Sequence, residues 1–150
     1  MDIKVVAKNR KAGFEYFILE TLEAGIALKG SEIKSVRAGQ VSLQESYVQI
    51  DGNQAWLINS HIASYKEASY QDHDPKRARK LLLHKKEIRK LWSEVRQKGV
   101  TIIPVKMYLK GGRAKIEIAI AKGKKLYDKR EDIAKKDQKR DLDRLLSKRE

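Results

Sequence analysis

The chain has 150 residues, enough for about one domain with a real hydrophobic core. It carries 34 Lys and Arg against 20 Asp and Glu, a net charge of +14. It has no cysteine, which excludes disulfides, thiolate zinc sites and cysteine nucleophiles. The positive excess suits a polyanion, either nucleic acid or an anionic membrane surface. No apolar run approaches the ~20 residues of a membrane span, and there is no signal-peptide core or lipidation motif. A cytoplasmic location and no membrane partner are therefore expected.

Met1 to Gly13 is short and basic, with Asn9, Arg10 and Lys11 ahead of Ala12-Gly13. Phe14 to Leu28 reads as a strand, apolar on both faces for part of its length. Ala24-Gly25 interrupts it and predicts a bulge or bend. Gly30-Ser31 opens a short helix, with Ser31 as N-cap, Ile33 and Val36 inward, and Gly39 at its end. Val41 to Ile50 and Ala55 to Ile58 form a predicted hairpin about Asp51-Gly52-Asn53. Ser60 to His73 is polar and irregular.

Asp74 to Trp92, DPKRARKLLLHKKEIRKLW, is the most informative stretch. Pro75 fixes its own φ and pushes Asp74 out of the α region, so the pair marks a turn. Lys76, Arg77, Arg79 and Lys80 follow with no acidic residue among them. Such a run is either a solvated face or a polyanion site, and the basic chain around it favours the second. A helix then opens near His84. Ile88, Leu91, Trp92 and Val95 fall at i, i+3, i+4 and i+7, the spacing of one buried face, and Gly99 ends the helix.

Thr101, Ile103, Val105, Met107 and Leu109 alternate along the next strand, with Pro104 on the opposite face as a mark of an edge or bulge. Gly111-Gly112 is a hairpin turn. Ala114, Ile116, Ile118 and Ile120 then repeat with period two, and Lys115 and Glu117 face away. Antiparallel hairpins with inserted helices make the expected fold mainly β. It is a small antiparallel barrel, open or closed, of the oligonucleotide-binding kind with flanking helices.

The composition changes at Gly123, which divides the chain into a body, 1–122, and a tail, 123–150. The tail holds eleven Lys and Arg against seven Asp and Glu. Its few apolar residues include Leu142, Leu145 and Leu146, a small stripe at helical spacing. Such a segment is marginal alone and either folds on a partner or serves as a solubilising appendage.

Catalytic patterns are absent. His61, His73 and His84 lack metal-ligand spacing, and no GxSxG, Walker A or GxGxxG occurs. Asp72, His73 and Asp74 read as an Asp-rich turn, and no metal or other cofactor is expected. What the chain does offer is cations with aromatics. Beyond the first cluster stand Lys122, Lys124 and Lys125, then Tyr127, Lys129 and Arg130. Cations neutralise phosphates, and an aromatic ring stacks on a base. Tyr127 in GKKLYDKR suits such stacking, or else closes the bottom of the barrel.

Six stretches together resemble one family. They are NRKA at Asn9, EAGIALKGSEIKSVRAG from Glu23, SYV at Ser46, DPKRARKLLLHKKEI from Asp74, KGVTIIPVKMY from Lys98, and AKGKKLYDKRED from Ala121. The family is small protein B (SmpB), the SsrA-binding proteins of bacterial trans-translation. The resemblance implies a non-enzymatic protein bound to the tRNA-like domain of transfer-messenger RNA. It implies that the pair imitates a tRNA, the protein replacing the anticodon arm, and enters the A site of a stalled ribosome. Elongation factor Tu would be an indirect partner. It implies a tail that is disordered when free and helical in the mRNA path of the small subunit. RNA contacts are implied at Asn9, Arg10, Glu23, Leu82, Lys115, Lys122 and Lys125. A decoding-centre contact is implied at Tyr127, and an apolar pair at Leu145 and Leu146. One departure is Phe14, which stands where many relatives carry His before an acidic residue and Tyr. Two other readings of a basic barrel remain: an RNA-processing enzyme, and a ribosomal-protein-like element.

Overall fold

The computed structural model describes residues 3–64 and 73–124. In chain order these residues form β1 (Ile3–Lys8), α1 (Ala12–Glu15), β2 (Tyr16–Ile26), α2 (Gly30–Arg37), β3 (Val41–Ser42) and β4 (Tyr47–Asp51). They continue with β5 (Gln54–Ile58), β6 (His61–Ile62), β7 (Arg79–Leu82), α3 (Lys85–Lys98), β8 (Thr101–Lys110) and β9 (Arg113–Gly123). Seven strands make one sheet in the order β1-β8-β9-β2-β7-β5-β4, and β3 pairs with β6 in a second. Every pairing is antiparallel. The sheet curls, because the edge strand β4 packs back against β8. Among the described residues no ladder joins β1 to β4. The expectation of a mainly β, antiparallel fold with flanking helices holds. The last strand ends at Gly123, where the composition changes.

The period-two strand near the end of the chain becomes an interior strand of the sheet, between β8 and β2. Ile116, Ile118 and Ile120 of β9 join Ile102, Met107 and Leu57 in the main core. Ala119 and Ala121, on the other face of β9, pack with Ile103 and Ala12 in a smaller cluster. β9 is thus buried on both faces from Ile118 to Ala121, while Lys115 and Glu117, nearer its start, are only partly covered and Lys122 is exposed.

β8 does not keep the single inward face that its alternation predicts. Its register against β9 shifts between Pro104 and Lys106, a bulge next to a residue with no N–H to give the ladder. One extra residue reverses which positions point inward. Ile102 before the bulge and Met107 after it reach the main core, whereas Ile103 belongs to the smaller cluster. Pro104 therefore marks a bulge and not an edge.

Other expectations need correction. Phe14 and Glu15 lie in the short helix α1, and the strand starts at Tyr16. The β2 irregularity falls between Ile18 and Glu20, not at Ala24-Gly25. Gly25 is small for a different reason. It sits between Lys115 and Leu82 as β2 passes from β9 to β7, and a Cβ there would lie 3.2 Å from that of Leu82. Ser31 does not cap α2. The cap is Lys29, whose N–H donates to the Glu32 carboxylate at 2.8 Å. Gly39 does close α2, with φ +75° and its N–H donating to Val36, while the Gln40 N–H donates to Ser35, a Schellman ending.

α3 opens at His84, whose N–H donates to Glu87 at 2.9 Å, and Gly99 ends it in the left-handed region. Ile88 and Leu91 are its buried residues. Trp92 and Val95 are not: they remain 45% and 36% exposed. Only half of the predicted face is buried, so the contact stripe is narrower than the four residues of the spacing.

The main connection between α2 and the following half of the sheet is ionic. Arg79 and Glu32 are both fully buried, and the Arg79 Nε–H donates to Glu32 at 2.6 Å. The remaining nitrogens of Arg79 donate to the Ser60 hydroxyl at 3.1 Å and to the carbonyls of Arg77, Asp74 and Pro75 at 3.0, 3.3 and 3.1 Å. Arg77 adds a second guanidinium, 2.6 Å from the other Glu32 oxygen. His73 completes the seam. Its Nε2–H donates to the Ile62 carbonyl, and its Nδ1 pairs with the Ser31 hydroxyl at 2.8 Å. That carbonyl only accepts, so Nε2 carries a proton.

Two predictions follow from this packing. Burial pushes the Glu32 carboxyl up, but hydrogen bonds from Arg77 and the Lys29 N–H, with the charge of Arg79, outweigh it and hold the group below its ordinary value. A depressed folded value means that its stabilisation is complete above the unfolded value near 4.5 and is lost as pH falls through the folded one. Glu32→Ala leaves a buried Arg79 unpaired and should cost about 3–5 kcal/mol at pH 7 in urea unfolding. A cost below about 1 kcal/mol would contradict it. On α3, Leu91→Ala should cost about 2–5 kcal/mol, whereas Trp92→Ala should cost about 1 kcal/mol or less because half the ring already meets water. Equal losses in melting temperature would show that Trp92 is part of the core.

Candidate nucleic-acid interface

The cationic run after Asp74 divides on folding. Arg79 was expected to meet RNA, but its guanidinium has no exposed face and is committed to Glu32 and five further oxygen partners. Arg77 is largely spent on the same carboxylate. Lys76 and Lys80 alone of the four stay exposed. The run is thus half internal scaffold and half surface charge. The physical reason is spacing: alternate residues of β7 face opposite ways, so Arg79 and Leu81 point inward while Lys80 and Leu82 point out.

Leu82 brings the first candidate group together. It is 55% exposed and lies opposite Gly25, which in turn lies opposite Lys115. Three neighbouring strands therefore place Leu82, Gly25 and Lys115 side by side. A concavity of about 370 Å³ opens there, walled by Leu82, Arg113 and Lys115. An adjoining one of about 510 Å³ is lined by Glu23, Lys110, Arg113 and Lys115. Glu23, Leu82 and Lys115, far apart in sequence, thus share one surface. Lys110, Arg113 and Tyr108 complete it and were not singled out from the sequence. Their signal was present: the Gly111-Gly112 turn is flanked by cations.

Glu23 is the unusual member, an acid on a cationic surface. It accepts a hydrogen bond from the Tyr108 hydroxyl and lies 3.6 Å from the Lys110 ammonium. The Tyr108 hydrogen bond, ahead of the attraction of Lys110, holds its carboxyl below the ordinary range, so it is ionised at neutral pH. Desolvation and the same carboxylate drive the Tyr108 phenol up, so it keeps its proton and remains the donor. An ionised carboxylate only accepts. Amid three cations suited to phosphates, it can accept from a 2′-hydroxyl or an exocyclic base amine. An exposed leucine beside it offers apolar contact to a base or ribose.

The second group is at the other end of the β2–β9 ribbon. Tyr16 pairs with Gly123 and Gly25 with Lys115. Nine residues at about 3.4 Å each separate these ends by roughly 30 Å. At the Tyr16 end Asn9 is fixed by its own N–H to the Val105 carbonyl and by its amide to Pro104, at 2.8 and 2.9 Å. Both bonds use carbonyls at the β8 bulge. Arg10 is exposed beside it. Lys122 is opposite Phe17, and the Lys124 ammonium donates to the Gly13 carbonyl at 2.9 Å while lying 5.1 Å from the Phe17 ring centre. Phe14 is 81% exposed. The structure therefore separates the expected RNA residues into two clusters. Lys125, Tyr127, Lys129, Arg130, Leu145 and Leu146 lie outside the described residues, as does Asp72. Among the described residues no group of three His, Asp or Glu side chains could hold a metal ion, and no helix is long and apolar enough to cross a membrane.

Known proteins resemble this chain along most of its length. The SmpB protein family matches residues 6–148. The SsrA-binding protein of Persephonella marina is 59% identical over 142 residues, covering 95% of this chain and 93% of that one. That of Desulforudis audaxviator is 54% identical over 141 residues, covering 94% and 92%. A solved structure described as "tmRNA-SmpB: a journey to the center of the bacterial ribosome" matches with a TM-score of 0.66 and 49% identity, over 78% of this chain and 82% of that one. With a family match along nearly its whole length and relatives above half identity, this chain belongs to the SmpB protein family.

Proposed function

We propose that this protein binds the tRNA-like domain of transfer-messenger RNA and carries it to the A site of stalled ribosomes for trans-translation. One observation carries the reading. Glu23, Leu82 and Lys115 converge from three strands on one cationic concavity, with Lys110 and Arg113 beside them. That is a surface for folded RNA: cations for the backbone, one fixed acceptor and one apolar contact for shape. Family membership and the SsrA-binding relatives support the same partner. The other cluster, Asn9, Arg10, Lys122 and Lys124, extends the RNA surface along the ribbon. Lys76 and Lys80 add long-range attraction.

The body, 1–122, with Lys124 at the start of the tail, 123–150, does the RNA binding, and the rest of the tail acts on the ribosome. Tyr127, Lys129 and Arg130 enter the decoding centre, and Leu145 and Leu146 dock along the mRNA path once the tail is helical. Binding is stoichiometric, and no turnover is proposed: incubation with labelled RNA and magnesium should yield a stable complex and intact RNA.

Two measurements test this division. Lys115→Ala should weaken binding to the tRNA-like domain and lower the slope of log K against log salt by roughly 0.7–0.9, the value of one phosphate contact. An unchanged slope and affinity would remove Lys115 from the interface. Deleting residues 129–150 should leave affinity for the tRNA-like domain within about twofold, ~0.4 kcal/mol, yet abolish peptide tagging on stalled ribosomes. A hundredfold loss of affinity would place the tail in the primary RNA site, and normal tagging would reduce it to an appendage.

A further inference from the structure

α3 carries a feature that neither the core nor the RNA clusters use. Lys85, Arg89, Trp92 and Arg96 fall at i, i+4, i+7 and i+11, one face of the helix. The face is about 16 Å long at 1.5 Å per residue. Ile88 and Leu91 anchor the helix through a different stripe, and Lys90 and Lys98 are paired with Glu20 and Glu94. Among the described residues Lys85, Arg89 and Arg96 have no acidic partner. Trp92 is 45% exposed, and the Arg96 guanidinium is 4.6 Å from its ring centre. The ring and Arg89 form one wall of a groove of about 450 Å³. The opposite wall is the β4–β5 turn, Gly52 and Asn53. None of these residues lines the concavities around Glu23 and Lys115.

We infer that this groove is a second RNA contact, in which an unpaired nucleotide stacks on Trp92 while Arg89, Arg96 and Lys85 hold its neighbouring phosphates. The inference rests on the reading of the chain as an RNA binder. An indole beside a guanidinium is a stacking platform for any base. The Asn53 side chain at the opposite wall has an amide that can both donate to and accept from a base edge. An acidic protein segment would meet the same charges, but among the described residues the groove is lined by one aromatic ring, Arg89 and the Gly52-Asn53 turn. That is too little for a helix-in-groove interface and enough for one base. The unpaired nucleotide could belong to transfer-messenger RNA or to ribosomal RNA, and both present the same chemistry.

The test uses the full chain with Trp92→p-benzoylphenylalanine, irradiated in two separate mixtures. One holds the tRNA-like domain of transfer-messenger RNA, the other purified small ribosomal subunits. A cross-link destroyed by ribonuclease is expected in one mixture, and the mixture names the source. In that mixture Arg89→Gln with Arg96→Gln should weaken binding at least tenfold with an unchanged circular-dichroism melting curve, while Trp92→Tyr should stay within about threefold. A cross-link that survives ribonuclease but not protease would show a protein occupant and overturn the inference. So would no cross-link in either mixture, or unchanged affinity of the double variant. Lys115→Ala runs beside them. If it weakens binding to the tRNA-like domain and the α3 variants weaken nothing, the groove fails and the RNA-binding reading stands. If no variant weakens binding, both fail.

Discussion

The buried contact between Glu32 and Arg79 is the constraint on which the rest of the body depends. Both side chains are removed from water, and either charge left there alone would be strongly destabilising. Each therefore fixes the other, and through them fixes three segments. Glu32 belongs to α2, Arg79 begins β7, and the donors of Arg79 reach back to Ser60 and to the turn at Asp74-Pro75. The geometry of that seam sets the position of β7, and β7 delivers Leu82 to the surface opposite Gly25. A hydrophobic pair could hold the same volume, but it would not fix direction. The fork of the guanidinium binds carbonyls and carboxylate at set angles, so β7 has one register against β2.

The second constraint is the β2–β9 ribbon. It is long and antiparallel, and its β9 strand is buried on both faces from Ile118 to Ala121, so it behaves as a stiff spacer between two cationic ends. Its near end holds Asn9, Arg10, Lys122 and Lys124, and its far end holds Glu23, Leu82 and Lys115. A distance of roughly 30 Å is too great for one nucleotide or one loop. It suits a folded RNA that meets the protein along its length. The bulge at Pro104 gives Asn9 its carbonyl partners, and the shift near Ile18 accompanies the exposed aromatics of the Tyr16 end.

Charge alone would mislead on where the RNA surface lies. The densest basic run in the body, Lys76 to Lys80, commits two of its four cations to Glu32. The hairpin cations Lys110, Arg113 and Lys115 look ordinary in sequence, yet they share one concavity with an ionised carboxylate. A buried guanidinium contributes to stability, while an exposed ammonium contributes to the field a phosphate meets. Which role a cation takes depends on the carboxylate opposite, and that carboxylate is some forty residues away.

Sequence by itself determined several things, for local reasons. The period of two in β9, the glycines ending α2 and α3, the turn at Asp51 to Asn53 and the cap at His84 are all set by residues within a few positions of one another. So were the class of the fold and, through six short motifs, the family and its candidate RNA residues. Tertiary structure decided what depends on distant partners. It turned Arg79 inward because Glu32 waits in α2, and turned Ser31 from a cap into the partner of His73. It exposed Trp92, because two residues of α3 suffice to cover the sheet beneath it. It reversed the inward face of β8 halfway along, because a proline beside a bulge changes the parity of every residue after it. A helical or strand period records which residues share a face. It does not record how wide the neighbouring surface is or what charge stands upon it, and both come only from the folded chain.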